Sequence, residues 1–162
     1  MSSFSSIEQS LLQLLIDVVP EGVKVTALPV QQAASSKARG RRINVAFLRV
    51  AIDSAARNAA VPNASRAGAR PAPPLHLDYL ISAHTSDYAS TDAGASALIE
   101  TALRAVESHP ILTPASLEPA VNKNLNPPTL TIVDQSLPEW AQLWTALQAP
   151  WQPALLVRVG TV

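Results

Sequence analysis

Two stretches constrain this chain more than any others: "RINVAFLRVAID", residues 42–53, and "LHLDYLISAH", residues 75–84. Both are rich in branched aliphatic and aromatic side chains, the composition of strands that a folded chain has to bury. In the second, Leu75, Leu77, Tyr79 and Ile81 point one way and His76, Asp78, Ser82 and His84 the other. One core face and one wetter face are therefore predicted. In the first, Ile43, Val45 and Phe47 share a face, while Leu48, Val50 and Ile52 fall in the opposite phase. Such a change of phase requires either a bulge or a strand buried on both faces. The connection, "SAARNAAVPNASRAGARPAPP", has no apolar period, four prolines, one glycine and three arginines. It reads as an exposed excursion, like a long hairpin tip.

The remaining elements follow from shorter signals. Ile7, Leu11, Leu14, Leu15 and Val18 predict a helix over residues 5–19, with Ser5 and Glu8 as a capping box and Pro20 as its stop. Residues 23–28 alternate like a strand, and "PVQQAASSKARGRR" reads as a polar, basic loop over about 29–42. A second helix, capped by Thr91 or Asp92, runs to about Ser108 on a stripe of Leu98, Ile99, Ala102, Leu103 and Val106, and His109 and Pro110 end it. "ILTPASLEPAVNKNLNPP" is irregular, "TLTIVD" is a short strand, and Ser136 with Glu139 caps a last helix. "ALLVRVGTV" closes the chain as a strand. The order is α, β, β, β, α, β, α, β over one domain, residues 1–162, with long loops at about 29–42 and 57–73. We expect an α+β fold: a single, mostly antiparallel (mixed) sheet covered by helices on at least one face.

At 162 residues the chain is long enough to bury about two thirds of the surface its unfolded form exposes. There is no cysteine, so disulfides and thiolate metal sites are excluded. The start, "MSSFSSIEQS", has neither the basic region nor the apolar run of a secretory signal, and no apolar segment of membrane-spanning length occurs, so a cytoplasmic product is expected. Formal net charge is zero, but residues 37–70 hold eight basic side chains against the single acid Asp53. That makes the region +7 and the rest of the chain −7, an asymmetry suited to head-to-tail contacts between copies.

Three constellations bear on function. Trp140, Leu143, Trp144 and Leu147 share one helix face and Trp151 lies just beyond it, so the three tryptophans read first as a structural aromatic cluster and second as a partner interface. His76, Asp78, Ser82 and His84 share a strand face but come without a G-x-S-x-G elbow, and histidines eight apart on a strand stand about 26 Å from each other. Neither a hydrolase nor a metal site is assigned, and a solvated or interfacial strand face is expected. "SSKARGRR" has the charge of a nucleic-acid contact but no phosphate-binding glycine pattern and no interleaved aromatics. A nucleic-acid-binding module using the Arg-rich loops is the first rival reading, and a small hydrolase using His76 or His84 is the second.

"INVAFLRVAIDSAARN", "PPLHLDYLISAH" with the helix ending "ALRAVESHPILT", and "LTIVDQSLPEWAQLWTAL" occur in that order. With the patterns L-x-L-x-Y-L-x-x-A, HP-[IV]-L and LW-[ST]-A-L, they resemble the N-terminal domain of the tube-terminator, or cap, proteins of extracellular contractile injection systems. The resemblance implies a fold similar to phage tail terminators, with no enzyme activity and no cofactor. It implies a structural protein that forms a hexameric ring, closes the distal end of the inner tube and sheath, and fixes particle length. Its partners would be itself, the inner-tube protein and the sheath protein, in a phage-tail-like particle assembled in the cytoplasm. On this reading Lys37, Arg39, Arg41, Arg42, Arg66 and Arg70 are the candidate assembly interface, and Trp140, Trp144 and Trp151 hold the last helix to the sheet. The relatives are expected to continue past the closing strand, so sheath attachment by such an extension is not carried over to this sequence. The closing strand is expected to have a free edge for pairing with a neighbour.

Overall fold

The computed structural model describes residues 4–35, 40–54, 74–85, 93–112 and 127–161. In chain order these form α1 (Phe4–Ile16), β1 (Lys24–Thr26), α2 (Val30–Ala33), β2 (Arg42–Ile52), β3 (Leu75–His84), α3 (Ala93–Ser108), β4 (Thr129–Ile132), α4 (Leu137–Ala146) and β5 (Ala154–Thr161). One five-stranded sheet has the order β1-β2-β3-β5-β4. Only β1 and β2 are parallel, and every other neighbour is antiparallel. The expected α+β class and mixed sheet are observed. α2 falls within the stretch expected to be loop: four residues show too little period to signal a helix.

The long strands pair as their apolar faces require. Val45 lies opposite Ile81 and Tyr79 opposite Val157, so the aliphatic positions of three strands coincide. The phase change in β2 is a bulge: Phe47 pairs with Tyr79 and Arg49 with Asp78, leaving Leu48 extra. Its effect is to return Val50 and Ile52, opposite Leu77 and Leu75, to the face that carries Ile43 and Val45. Upstream of the bulge residues 42–46 are buried on both faces, so both expected explanations hold, in different halves of one strand.

Helices cover both faces. On one, α1 (Ile7, Leu11, Leu15) and α3 (Ala95, Leu98, Ala102, Ala105, Val106) pack on Ile43, Val45, Leu77, Tyr79, Ile81, Val157 and Val159. The alanines of α3 let the helix approach the sheet closely, and the larger residues of α1 fill the space beside it. On the other, Val30 of α2 and Trp144 of α4 cover Ala46 and Leu80. That second layer corrects the expectation of a wetter β3 face, since Asp78, Ser82 and His84 are all buried.

Two further expectations are corrected. α1 already includes Phe4, so Ser5 sits inside the helix instead of capping it. The closing strand β5 lies between β3 and β4, so the free edge expected of it is occupied by β4. The chain instead ends its pairing early at β1, which reaches only Asn44 of β2. There Asn44 takes over from the backbone: its Oδ1 accepts from Leu28 N–H at 2.9 Å and from Thr26 Oγ1 at 2.8 Å, and its Nδ2 donates to Leu28 O at 2.9 Å. A buried amide with all these bonds made holds residues 26–28 against the sheet.

Candidate functional site

Of the six basic residues proposed from sequence, the structure places two. Arg41 is exposed beside Gly40, whose left-handed φ of 100° turns the chain into β2. Arg42 is only 7% exposed, opposite His84 in the β2–β3 ladder, so it is a core-facing residue and not a surface contact. The inward position follows from register: Arg42 shares a sheet face with Asn44 and Ala46, and both of these are buried too. Lys37, Arg39, Arg66 and Arg70 lie outside the described residues.

On the same sheet face, one row of residues crosses four strands: Arg49, Asp78, Arg158 and Thr131. Asp78 is buried, and its carboxylate accepts from Arg49 Nε at 2.7 Å and Arg158 Nε at 2.7 Å. Burial alone would raise its pKa, but the hydrogen bonds and charges of Arg158 and Arg49 outweigh it and hold the carboxyl below its ordinary range. Beside this row, His76 Nε2 lies 3.1 Å from Asp53 Oδ2. Sequence reading missed the row because no local period links residues eighty positions apart. The available signal was a lone acid in an apolar strand, a residue that burial obliges to find a cation.

Ser82 Oγ and His84 Nε2 are 2.9 Å apart, a serine–histidine hydrogen bond in isolation suggestive of an activated nucleophile. Both are buried, and the charge that acts on the ring is the guanidinium of Arg42 where a triad has a carboxylate. Burial first, and Arg42 second, push the imidazole down to about 4. A neutral, buried ring serves the core. Among the described residues no group of three His, Asp or Glu is placed to hold a metal, and no helix is long and apolar enough to cross a membrane.

The tryptophans divide. Trp144 is 3% exposed and packs with Leu80, Ala46 and Val30. Trp140 is partly buried beside it, and Trp151 is 53% exposed. Trp140 and Trp151 line a groove of about 360 Å³ with Ser96 and Ile99 of α3, Leu137 at the start of α4, and Pro153 and Ala154 at the start of β5. Leu137, 74% exposed, stands at its rim. The helix start that positions Leu137 is the expected cap: Ser136 N–H and Oγ both donate to Glu139 Oε2, at 2.8 and 2.7 Å.

A second apolar surface was not foreseen. Phe4, Phe47, Val50 and Ile52 are all about half exposed, and the rings run in series, Phe4 to Phe47 at 6.4 Å and Phe47 to Tyr79 at 5.4 Å. They form a shelf beside the part of β2 that β1 does not reach.

Residues 6–162 match the family described as the Pvc16 N-terminal domain. Among solved structures, the chain is similar to the sheath/tube terminator of an extracellular contractile injection system, PVC, in its extended state. That likeness has a TM-score of 0.68 and 10% identity, over 99% of this chain and 56% of that one. It is likewise similar to the anti-feeding prophage cap, a tube-terminating cap, with a TM-score of 0.70 and 16% identity over 99% of this chain and 54% of that one. The chain thus spans a little over half the length of each. No curated protein matches.

Proposed function

Because this chain belongs to the Pvc16 N-terminal domain family, we propose that it is a structural cap that forms a ring, a hexamer, at the distal end of the inner tube and sheath of a contractile injection system and so sets particle length. The observation that carries this reading is the family match over nearly the whole chain, joined to a fold shared with two tube-terminating proteins. The buried Ser82–His84 pair supports a role without catalysis, since neither side chain reaches the surface where a substrate could meet it. Among the described arginines, the exposed Arg41 apart, the nucleic-acid alternative finds little support. Arg42 is buried, Arg49 and Arg158 share Asp78, and Arg104 pairs with Glu100 at 2.7 Å.

Electron microscopy of tubes and sheathed particles from cells with and without this gene tests the proposal. Overlong, ragged or unsheathed tubes in its absence are the expected result. An unchanged length distribution and yield would overturn it.

A further inference from the structure

Depth orders the charges in the row that crosses Arg49, Asp78, Arg158 and Thr131. The Asp78 side chain is 2% exposed, that of Arg158 30% and that of Arg49 64%, so the acid lies at the bottom and the guanidinium groups lie nearer the surface. At one end of this sheet face Ala46 and Leu80 are covered by α2 and α4. At the Asp78 end, Arg49 and Thr131 reach solvent. A molecule approaching there meets cations before it meets the carboxylate.

The donors of the two arginines are not exhausted. Asp78 Oδ2 accepts from Arg49 Nε and Arg158 Nη2, and its Oδ1 accepts from Arg158 Nε. Arg49 therefore gives Asp78 only its Nε, and among the described residues nothing accepts from its Nη1 and Nη2 or from Nη1 of Arg158. Two guanidinium groups that share one oxygen also repel each other, and one carboxylate does not neutralise both. Asp53 acts on Arg158 as well, but its own carboxylate is engaged by His76 Nε2 at 3.1 Å.

A second planar carboxylate fits what remains, because the outward Nη edge of Arg49 matches it two-pronged. Asp78 has already oriented both guanidinium groups, so little side-chain freedom is left to lose on binding. A nucleic-acid strand calls for cations along its length and aromatic platforms. This row offers one pair of arginines, flanked by Asp53 and Thr131.

We infer that the Arg49–Arg158 pair anchored on Asp78 is a docking point for an acidic side chain, Asp or Glu, of a partner protein chain. The site stands apart from the cap reading, which particle length tests separately.

Thr131 lies directly opposite Arg158 on β4, so Thr131→Glu supplies such a carboxylate from within the chain. At low salt this variant is expected to melt about 1–3 °C above Thr131→Gln, its uncharged control, and the gap is expected to close at about 1 M sodium chloride. Binding from outside is read on the Nε–H resonance of Arg158 with pentaglutamate as the probe. In the parent protein the resonance is expected to shift to saturation. In Thr131→Glu, and in Arg49→Ala with its circular dichroism unchanged, the affinity is expected to fall by about fivefold or more. A parent resonance that does not saturate, or a Thr131→Glu protein that melts at or below Thr131→Gln, would overturn the inference. Tighter binding of inorganic phosphate or of a short single-stranded DNA than of pentaglutamate would overturn the assignment to a protein carboxylate.

Discussion

Asp78 of β3 and Arg158 of β5 meet in a two-pronged contact, Arg158 Nε to Asp78 Oδ1 at 2.7 Å and Nη2 to Oδ2 at 3.1 Å. With Arg49 on the other side, one buried carboxylate ties the three central strands together. Removing it leaves two guanidinium groups facing each other over a buried amide, so Asp78→Asn is expected to cost about 3 kcal/mol in urea unfolding at pH 7. Arg49→Ala, at a mostly exposed partner, is expected to cost under about 1 kcal/mol. The carboxyl is depressed in the folded state. Its contribution is therefore present above the ordinary carboxylate range, near pH 4, and is lost as pH falls through the folded value.

His84 acts over a higher pH window. Its folded value is about 4 against an ordinary 6.5, because burial and then Arg42 oppose a charge there. Between these values the unfolded chain binds a proton that the folded one refuses, so stability is complete above about pH 6.5 and falls as pH drops toward 4. The loss amounts to about 3 kcal/mol over the full window. Urea unfolding at pH 7 and pH 5 should show it in the parent and much less of it in His84→Gln. An equal pH slope in both would place the effect elsewhere.

Trp144 and Trp151 should separate cleanly. Trp144→Ala removes a buried indole against Leu80 and is expected to cost about 3–5 kcal/mol. Trp151→Ala, at a half-exposed ring, is expected to cost under about 1 kcal/mol in the monomer. Thermal unfolding at a concentration below self-association reads both, and comparable losses would contradict the division.

The end of α4 contains a correctable strain. Gln148 has φ 50°, its N–H bonds to Thr145 O and Ala149 N–H reaches Trp144 O, the arrangement of a Schellman cap whose left-handed position favours glycine. Gln148→Gly is expected to stabilise by about 0.5–1 kcal/mol, the relief of the side-chain clash offset by a more flexible unfolded chain. A lowered melting temperature would refute this.

Arg41 and Arg42 are neighbours with opposite expected phenotypes. Arg41→Glu reverses an exposed charge and should keep the parent circular dichroism and melting temperature while weakening assembly. Arg42→Glu places a carboxylate in the buried strand beside His84 and should destabilise the fold by about 2 kcal/mol or more. Soluble yield and melting temperature distinguish them.

What the sequence alone determined is the local order. The capping of α4 by Ser136 and Glu139, the end of α3 before Pro110, the core face Leu75, Leu77, Tyr79 and Ile81, and the need for a bulge or double burial in β2 all follow from effects that act within a few residues. The tertiary structure decided what depends on neighbours from elsewhere in the chain. Only pairing order put β5 inside the sheet and gave Asp78 its arginines, and only tertiary packing buried the face on which Asp78, Ser82 and His84 are expected to be solvated. The apolar shelf has the same origin: the bulge turns Val50 and Ile52 back to the core face, and no described helix covers them fully there. Periodicity states which side chains share a face, but burial is set by what packs on that face, and that is a long-range property of the fold.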